Sequence, residues 1–345
     1  MITKPLGKYG MNKSNVLITG CTGLLGSWLT IRLVEKGANV IGLVRDLIPK
    51  SNLYLSGFHN RIEVVRGTLT DYELLLRIIN EYEIETIFHL GAQTIVTIAN
   101  RSPLSTFESN IKGTWNLLEA AKQTGIVKKL VIASSDKAYG DHDQLPYDED
   151  YPLQGRHPYD VSKSCVDLIA QSYYATYKMP IAIARCGNIY GGGDLNFNRI
   201  IPGTIRSLYY NERPIIRSDG TPRRDYLYVE DAVQAYLALA KGLDDEELWG
   251  HPFNFSSENP VTVLDMVHKI INSFPNGGRT PEIIGKGKQK AEIHEQFLSS
   301  KKAKRLLNWQ TENSLEKGIS ETIKWFIRFF DNDKYFSLRP TPGDI

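Results

Sequence analysis

Short apolar runs alternate along the first half of the chain with longer stretches whose apolar residues recur every three or four positions. These are the periods of buried strands and of amphipathic helices. Asn15 to Thr19 (NVLIT) is the first run, and WLTIRLVEKG after it has helical spacing. Asn39 to Val44 (NVIGLV), IEVVRG, TIFHLGAQ at 86 to 93, KKLVIA and IAIAR follow as further strands. Helical patterns fill most of the gaps, with Asp71 placed to cap the helix after the third strand. Strand alternating with helix predicts an α/β fold, a Rossmann-type doubly wound parallel sheet whose ligands bind beyond the carboxyl ends of the strands.

Two longer helical patterns, 103 to 124 and 159 to 178, carry apolar residues on more than one face (WNLLEAA; CVDLIAQSYY). Core packing accounts for this, and so does a homodimer built through a bundle of these helices. Beyond Pro180 the order loosens. The loop CGNIYGGGD, then FNRIIPGTI, a possible strand ERPIIR, and RRDYLYVEDAVQAYLALA precede a closing helix, SLEKGISETIKWFIRFF. This places a Rossmann domain at 15–186 with late strands returning from about 225–255, a smaller C-terminal substrate-binding lobe mainly at 187–327, and tails at 1–14 and 331–345.

Composition adds exclusions. Of 345 residues 41% are hydrophobic and 23% charged, as in ordinary globular proteins, and the net charge of +2 leaves no basic excess for nucleic acid. The basic run KKAKR at 301 to 305 reads as a solvated helix face. Cys21, Cys165 and Cys186 show no metal spacing and cannot all pair, which points to a reducing compartment. The opening MITKPLGKYGMNK lacks an apolar core, and no stretch reaches 18 uninterrupted apolar residues, so the reading is cytoplasmic with no membrane partner.

Candidate chemistry sits at the strand ends. GCTGLLG follows the first strand directly: Gly20 and Gly23 allow a tight turn close to a pyrophosphate, Gly26 allows helix and strand to pack closely, and the helix start offers N–H groups to the anion. After the second strand, Arg45 suits the 2′-phosphate of NADP while Asp46 suits the ribose hydroxyl of NAD. The sequence points both ways, with Arg45 leaning to NADP. Tyr159 and Lys163 stand four apart at a helix start, on one face. A lysine ammonium beside a phenol is expected to lower its pKa toward working pH, making Tyr159 a base, with Ser135 able to bond the same substrate hydroxyl. Asp136 and Lys137 add an acid/base pair that plain alcohol oxidation does not need.

With GCTGLLG, SSDKAYG, PYDVSK and RRDYLYVED present in order, the chain resembles the extended short-chain dehydrogenase/reductase family that modifies nucleotide sugars, from about residue 15 to 327. Within it the CDP-glucose 4,6-dehydratases are the most similar, through Ser135, Asp136, Lys137 and Tyr139, AQTIV, and RCGNIYGGGDLNFNRIIP. The resemblance implies a lyase with a tightly bound, recycled NAD or NADP that makes 4-keto-6-deoxy nucleotide sugars by C4 oxidation, water loss across C5 and C6, and reduction at C6. It implies Tyr159, Lys163 and Ser135 for oxidation, Asp136 as acid and Lys137 as base. Leu24, Leu25, Leu69, Leu90 and Ala92 are placed with the cofactor, and Gln93, Asn188, Arg199, Arg224 and His294 with the substrate. One departure is Thr68, where the family commonly has an aspartate beside adenine. A C4 epimerase would need the same oxidation residues but not Asp136 and Lys137; a non-catalytic dinucleotide sensor would not need the Tyr/Lys pair.

Overall fold

The computed structural model describes residues 14–275, 277–285 and 293–337. Strands β1 (Asn15–Thr19), β2 (Asn39–Val44), β3 (Glu63–Arg66), β4 (Thr86–His89), β5 (Lys129–Ala133) and β6 (Ile181–Cys186) form a parallel sheet with a late strand, Pro252–Phe255. Smaller strands β7 (Asn188–Tyr190), β8 (Ile215–Ile216), β9 (Arg223–Arg224) and β10 (Tyr226–Tyr228) precede that late strand, β11, and β12 (Val261–Thr262), β13 (Glu282–Ile283) and β14 (Glu295–Gln296) follow it. The sheet order is β11-β6-β5-β4-β1-β2-β3, so the chain runs outward from β1 in one direction and then in the other. The order reverses between β1 and β4, where an open α/β sheet leaves a crevice for ligand.

Side chains two apart on a strand share a face, and the two cores follow that period. Val16 and Ile18 of β1, Val131 of β5, and Ala182 and Ala184 of β6 enter one buried cluster, with α1 (Leu24–Glu35) and α9 (Val229–Gly242) over it. Leu17, Leu130, Ile132, Ile181 and Ile183 enter the other, under α3 (Tyr72–Glu81), α6 (Gly113–Thr124) and α7 (Pro158–Tyr177). The short α2 (Asn52–Leu55) follows β2. A third cluster binds α8 (Ile200–Tyr209), α10 (Val263–Ser273) and α12 (Leu315–Ser337) through Ile205, Met266, Ile270 and Phe326.

Local signals explain several boundaries. Asp71 does cap α3, its Oδ1 accepting from Leu74 N at 3.0 Å. The helix expected over 103 to 124 is present without a break after α4 (Val96–Arg101), but its middle is not α-helical: α5 (Pro103–Phe107) runs through a π-turn over Glu108–Lys112 into α6. The extra residue turns Asn110 inward, 1% exposed, where its amide bonds Gln93 and Ser162. The tail expected from 331 is helical as far as Ser337, within α12; the rest of it and the tail over 1–13 lie outside the described residues. Helix α11 (Lys301–Leu307) carries the KKAKR run with Ala303 and Leu307 buried. Among the described residues no helix is long and apolar enough to cross a membrane.

Candidate active site

The glycine turn after β1 is built for close backbone approach. Gly20 holds φ +75°, and Gly23 N bonds its carbonyl at 3.0 Å. A Cβ on Gly26 would stand 2.0 Å from Gly20 O, and one on Gly20 would stand 2.8 Å from Gly91 N, so neither position has room for a side chain. Helix α1 then starts at Leu24 and Leu25 without a side-chain cap, its first N–H groups behind exposed Gly23. Leu69 packs against the Cα positions of Gly91 and Gly113, beside Leu90 and Ala92. Ser134 Oγ is buried and has no hydrogen-bond partner among the described residues. A small enclosed void lined by His89, Gly91, Asn110, Thr114, Ala133 and Lys163 lies at the same strand ends. An anion-binding turn, small residues and an unused hydroxyl fit a dinucleotide. After β2, Arg45 Nε donates to Asp46 Oδ2 at 2.7 Å, so arginine and carboxylate are paired with each other, both exposed.

Along the lining of this void runs a relay whose direction the acceptors fix. Thr19 Oγ1 accepts from Leu90 N (3.1 Å) and Gly91 N (3.0 Å), so its own proton goes to His89 Nδ1 at 2.8 Å. His89 Nε2 then donates to Thr114 Oγ1 at 2.9 Å, and Thr114 to Asn110 O at 2.6 Å. From Asn110 Nδ2 the chain reaches Ser162 Oγ (2.9 Å), which donates to Tyr159 O at 2.7 Å. Burial, with help from the Lys163 charge, holds the His89 imidazolium pKa down at about 3. An unfolded His89 takes a proton below about pH 6.5 and the folded one does not, so this residue's contribution is full above pH 6.5 and is lost as pH falls toward 3, at about 1.4 kcal/mol per unit. Asp225, pushed up to about 6 by burial, acts in the opposite sense between its unfolded value and 6. Comparing urea midpoints of the parent and His89→Gln across that range isolates the histidine: the variant's stability should fall less steeply with acid.

The catalytic candidates converge beyond β5. Ser135 opens a 3₁₀ turn over Asp136–Tyr139 and accepts from Lys137 N at 3.2 Å, while its hydroxyl donates to Asp136 Oδ1 at 2.9 Å. Lys137 Nζ lies 3.6 Å from Asp136 Oδ2. Burial lowers the Lys137 pKa, and the Arg224 charge adds to this against the pull of Asp136 and Asp160. Lys163 Nζ donates to Ala133 O at 2.7 Å, and burial brings it down to about 8. The Tyr159 phenol corrects the sequence expectation. It is pushed up to about 12, because burial dominates and the Asp136 and Asp160 carboxylates add to it, while a hydrogen bond with Ser135 and the Arg199 charge offset only part.

Of the substrate candidates, Arg199 and Arg224 bring their charges to this cluster, acting on Tyr159 and Lys137. Arg224 bonds backbone carbonyls of Arg223 and His294 at 2.9 Å each, and of Ile293. Arg199 Nη1 meets Asp194 Oδ2 at 3.2 Å, and Asn188 Nδ2 donates to Asp225 O at 3.3 Å. His294 shares a hydrogen bond with Thr221 through its ring at 3.1 Å. Gln93 turns its side-chain oxygen to Ile95 N. Sequence reading missed Gln296, fully buried on β14: its Nε2 donates to Asp136 O at 2.9 Å and its Oε1 accepts from Lys137 Nζ. Nothing local marks that residue; the contact joins positions 159 apart in the chain.

Residues 17–322 match the family described as GDP-mannose 4,6 dehydratase. The chain is 31% identical to the CDP-glucose 4,6-dehydratase of Salmonella typhimurium over 90% of its own length and 89% of that protein. It is 26% identical to the dTDP-D-glucose 4,6-dehydratase of Mus musculus, over 97% and 96%. Among solved structures it is similar to a UDP-glucose 4-epimerase from Thermotoga maritima with UDP-glucose (TM-score 0.83, 26% identity, 92% of this chain and 99% of that one). It is also similar to a dTDP-glucose 4,6-dehydratase from Bacillus anthracis in complex with NAD (TM-score 0.80, 26% identity, 91% and 97%).

Proposed function

We propose, since the chain belongs to the nucleotide-sugar 4,6-dehydratase family, that it converts a CDP-glucose-like substrate into the 4-keto-6-deoxy nucleotide sugar. The observation that carries this reading is the Asp136–Lys137 pair set against Ser135, 3.6 Å between amine and carboxylate. Oxidation at C4 needs Tyr159, Lys163 and Ser135 alone, and an epimerase would stop there; a second acid and base are what water loss adds.

When bound, an oxidised nicotinamide would supply the two-electron acceptor for C4, return those electrons at C6, and bring a positive charge that favours the Tyr159 phenolate. Tyr159 takes the C4 hydroxyl proton, with Ser135 bonding the same oxygen. The C4 ketone acidifies the C5 hydrogen. Lys137, whose ammonium burial disfavours, removes that proton as Asp136 protonates the departing C6 oxygen. Water leaves with the C6–O bonding pair; once C6 has been reduced, the Lys137 ammonium returns its solvent-exchanged proton to C5, and the proton that Tyr159 took from the C4 hydroxyl passes through solvent to Asp136, restoring all three groups.

The test is to incubate the enzyme separately with CDP-glucose, GDP-mannose, dTDP-glucose and UDP-glucose and to weigh the products. Loss of one water without net cofactor reduction is the expected result. Unchanged mass with an inverted C4 centre would replace this reading by epimerisation.

For the cofactor we favour NAD, with Asp46 both accepting from the ribose and occupying Arg45. Asp46→Ser removes that carboxylate and frees the arginine for a 2′-phosphate. Affinity for NADP relative to NAD, read by fluorescence titration, should then rise about tenfold or more. Trp115 on α6 and Leu168 on α7 are large apolar side chains left exposed, which supports a homodimer through these helices, read by sedimentation. Three free thiols fit a cytoplasmic setting.

A further inference from the structure

We infer that Gln296 is a positioning residue for dehydration: its side-chain amide, reaching across from the C-terminal lobe, orients the Lys137 amine without placing a charge beside it. This rests on the reading of Lys137 as the C5 base.

The amide can sit only one way round. Its Nε2 donates to two backbone carbonyls, Asp136 O at 2.9 Å and Gly140 O at 3.4 Å, and a carbonyl only accepts. Its Oε1 is thereby turned to Lys137 Nζ, whose N–H it accepts. The other groups facing that amine are the Asp136 carboxylate on its own turn, Asp160 on α7 and Arg224 on β9. The two carboxyl groups favour the ammonium and the arginine opposes it. A neutral amine has two N–H groups and one lone pair. With one N–H given to Gln296 and the other directed to Asp136, the lone pair is left for the C5 proton. An amide oxygen fixes this orientation while favouring the ammonium far less than a carboxylate in the same place would.

The tether also joins two parts of the molecule. Gln296 is fully buried on β14, which pairs in register with β9, Gln296 opposite Arg224. Arg224 in turn is bonded to the His294 carbonyl. The strand pair that sets Arg224 against the His294 backbone therefore also holds the amine of the base, and seating substrate on that lobe sets the Lys137 position as well.

Two variants separate this contact from mere support of the 3₁₀ turn. Gln296→Met and Gln296→Glu both lose the donors to Asp136 O and Gly140 O, but only the second sets a charge against Lys137. The primary measurement is the pH midpoint of Lys137 acetylation in cofactor-loaded enzyme without substrate, read by mass spectrometry. Gln296→Glu should raise the midpoint by about one unit or more, and Gln296→Met should lower it. In the presence of substrate, Gln296→Met should slow C5 deuterium exchange roughly tenfold or more while C4 oxidation persists. Midpoints equal to the parent's in both variants, or moving together, overturn the inference. If the parent dehydrates no nucleotide sugar while the two midpoints diverge, it is the functional reading that fails and the tether that stands.

Discussion

Lys137→Ala enzyme is expected to oxidise its substrate at C4 and then stall, with the rate of water loss down by about 10²- to 10⁴-fold. The two halves of the chemistry draw on different side chains. In the proposed reading Tyr159, Lys163 and Ser135, on α7 and just past β5, serve the C4 hydroxyl, whereas Lys137 Nζ is held by Gln296 beside Asp136. Removing the amine leaves the Ser135–Asp136 hydrogen bond intact at 2.9 Å, so the oxidation machinery keeps its arrangement. Transient cofactor reduction should persist and accumulate, while solvent deuterium no longer enters C5. Tyr159→Phe should instead lose both signals. Full dehydration by Lys137→Ala would sink the assignment of the base. The pH profile of the parent carries the same logic: burial disfavours the Lys137 ammonium, so the elimination rate rises as that proton leaves at a pH below the ordinary lysine range.

The sheet was legible because all its strands but the edge strand β3 are largely buried, and they are bounded by glycine turns or polar residues. Asn15–Thr19 and Asn39–Val44 are recovered to the residue, and the Asp71 cap follows from a short acid before an apolar period. What the pattern could not show are places where a side chain overrides helical spacing. The π-turn at Asn110 leaves the apolar rhythm of 103 to 124 intact in one dimension, yet it swings one amide into the site. Among the described residues the β8 strand is Ile215–Ile216 and pairs with an equally short strand, β13. At the site, motif and chemistry gave Ser135, Asp136, Lys137, Tyr159 and Lys163 together, since all lie within thirty residues of one another. Their electrostatics were not legible. Whether a phenol beside a lysine rises or falls depends on burial and on Asp136 and Asp160, and burial wins in Tyr159. Gln296 and the neutral His89 relay are products of tertiary contact alone.

Asp167→Ala should cost about 3–5 kcal/mol of stability, a large part of the 5–15 kcal/mol typical of a folded domain. Arg185 is 2% exposed and Asp167 0%, and they meet through two parallel bonds, Nε to Oδ2 at 2.8 Å and Nη2 to Oδ1 at 2.9 Å. The remaining Nη1 donates to Tyr139 OH at 2.7 Å and Glu149 O at 3.0 Å. Removing the carboxylate leaves a guanidinium that cannot shed its charge buried with only neutral acceptors. The double variant Asp167→Leu with Arg185→Met removes both charges and should recover much of the loss, because a matched apolar pair carries no desolvation penalty. Urea midpoints of the two variants decide this; a single variant losing less than about 1 kcal/mol, or a double variant worse than the single, would refute it. The damage should also reach the site. Tyr139 closes the turn that carries Asp136 and Lys137, and its hydroxyl goes on to Asn254 Oδ1 at 2.7 Å, whose amide holds Tyr147 O at 3.1 Å. Loosening Arg185 therefore frees the C-terminal end of the acid/base turn, and elimination should suffer more than C4 oxidation in whatever fraction of Asp167→Ala remains folded.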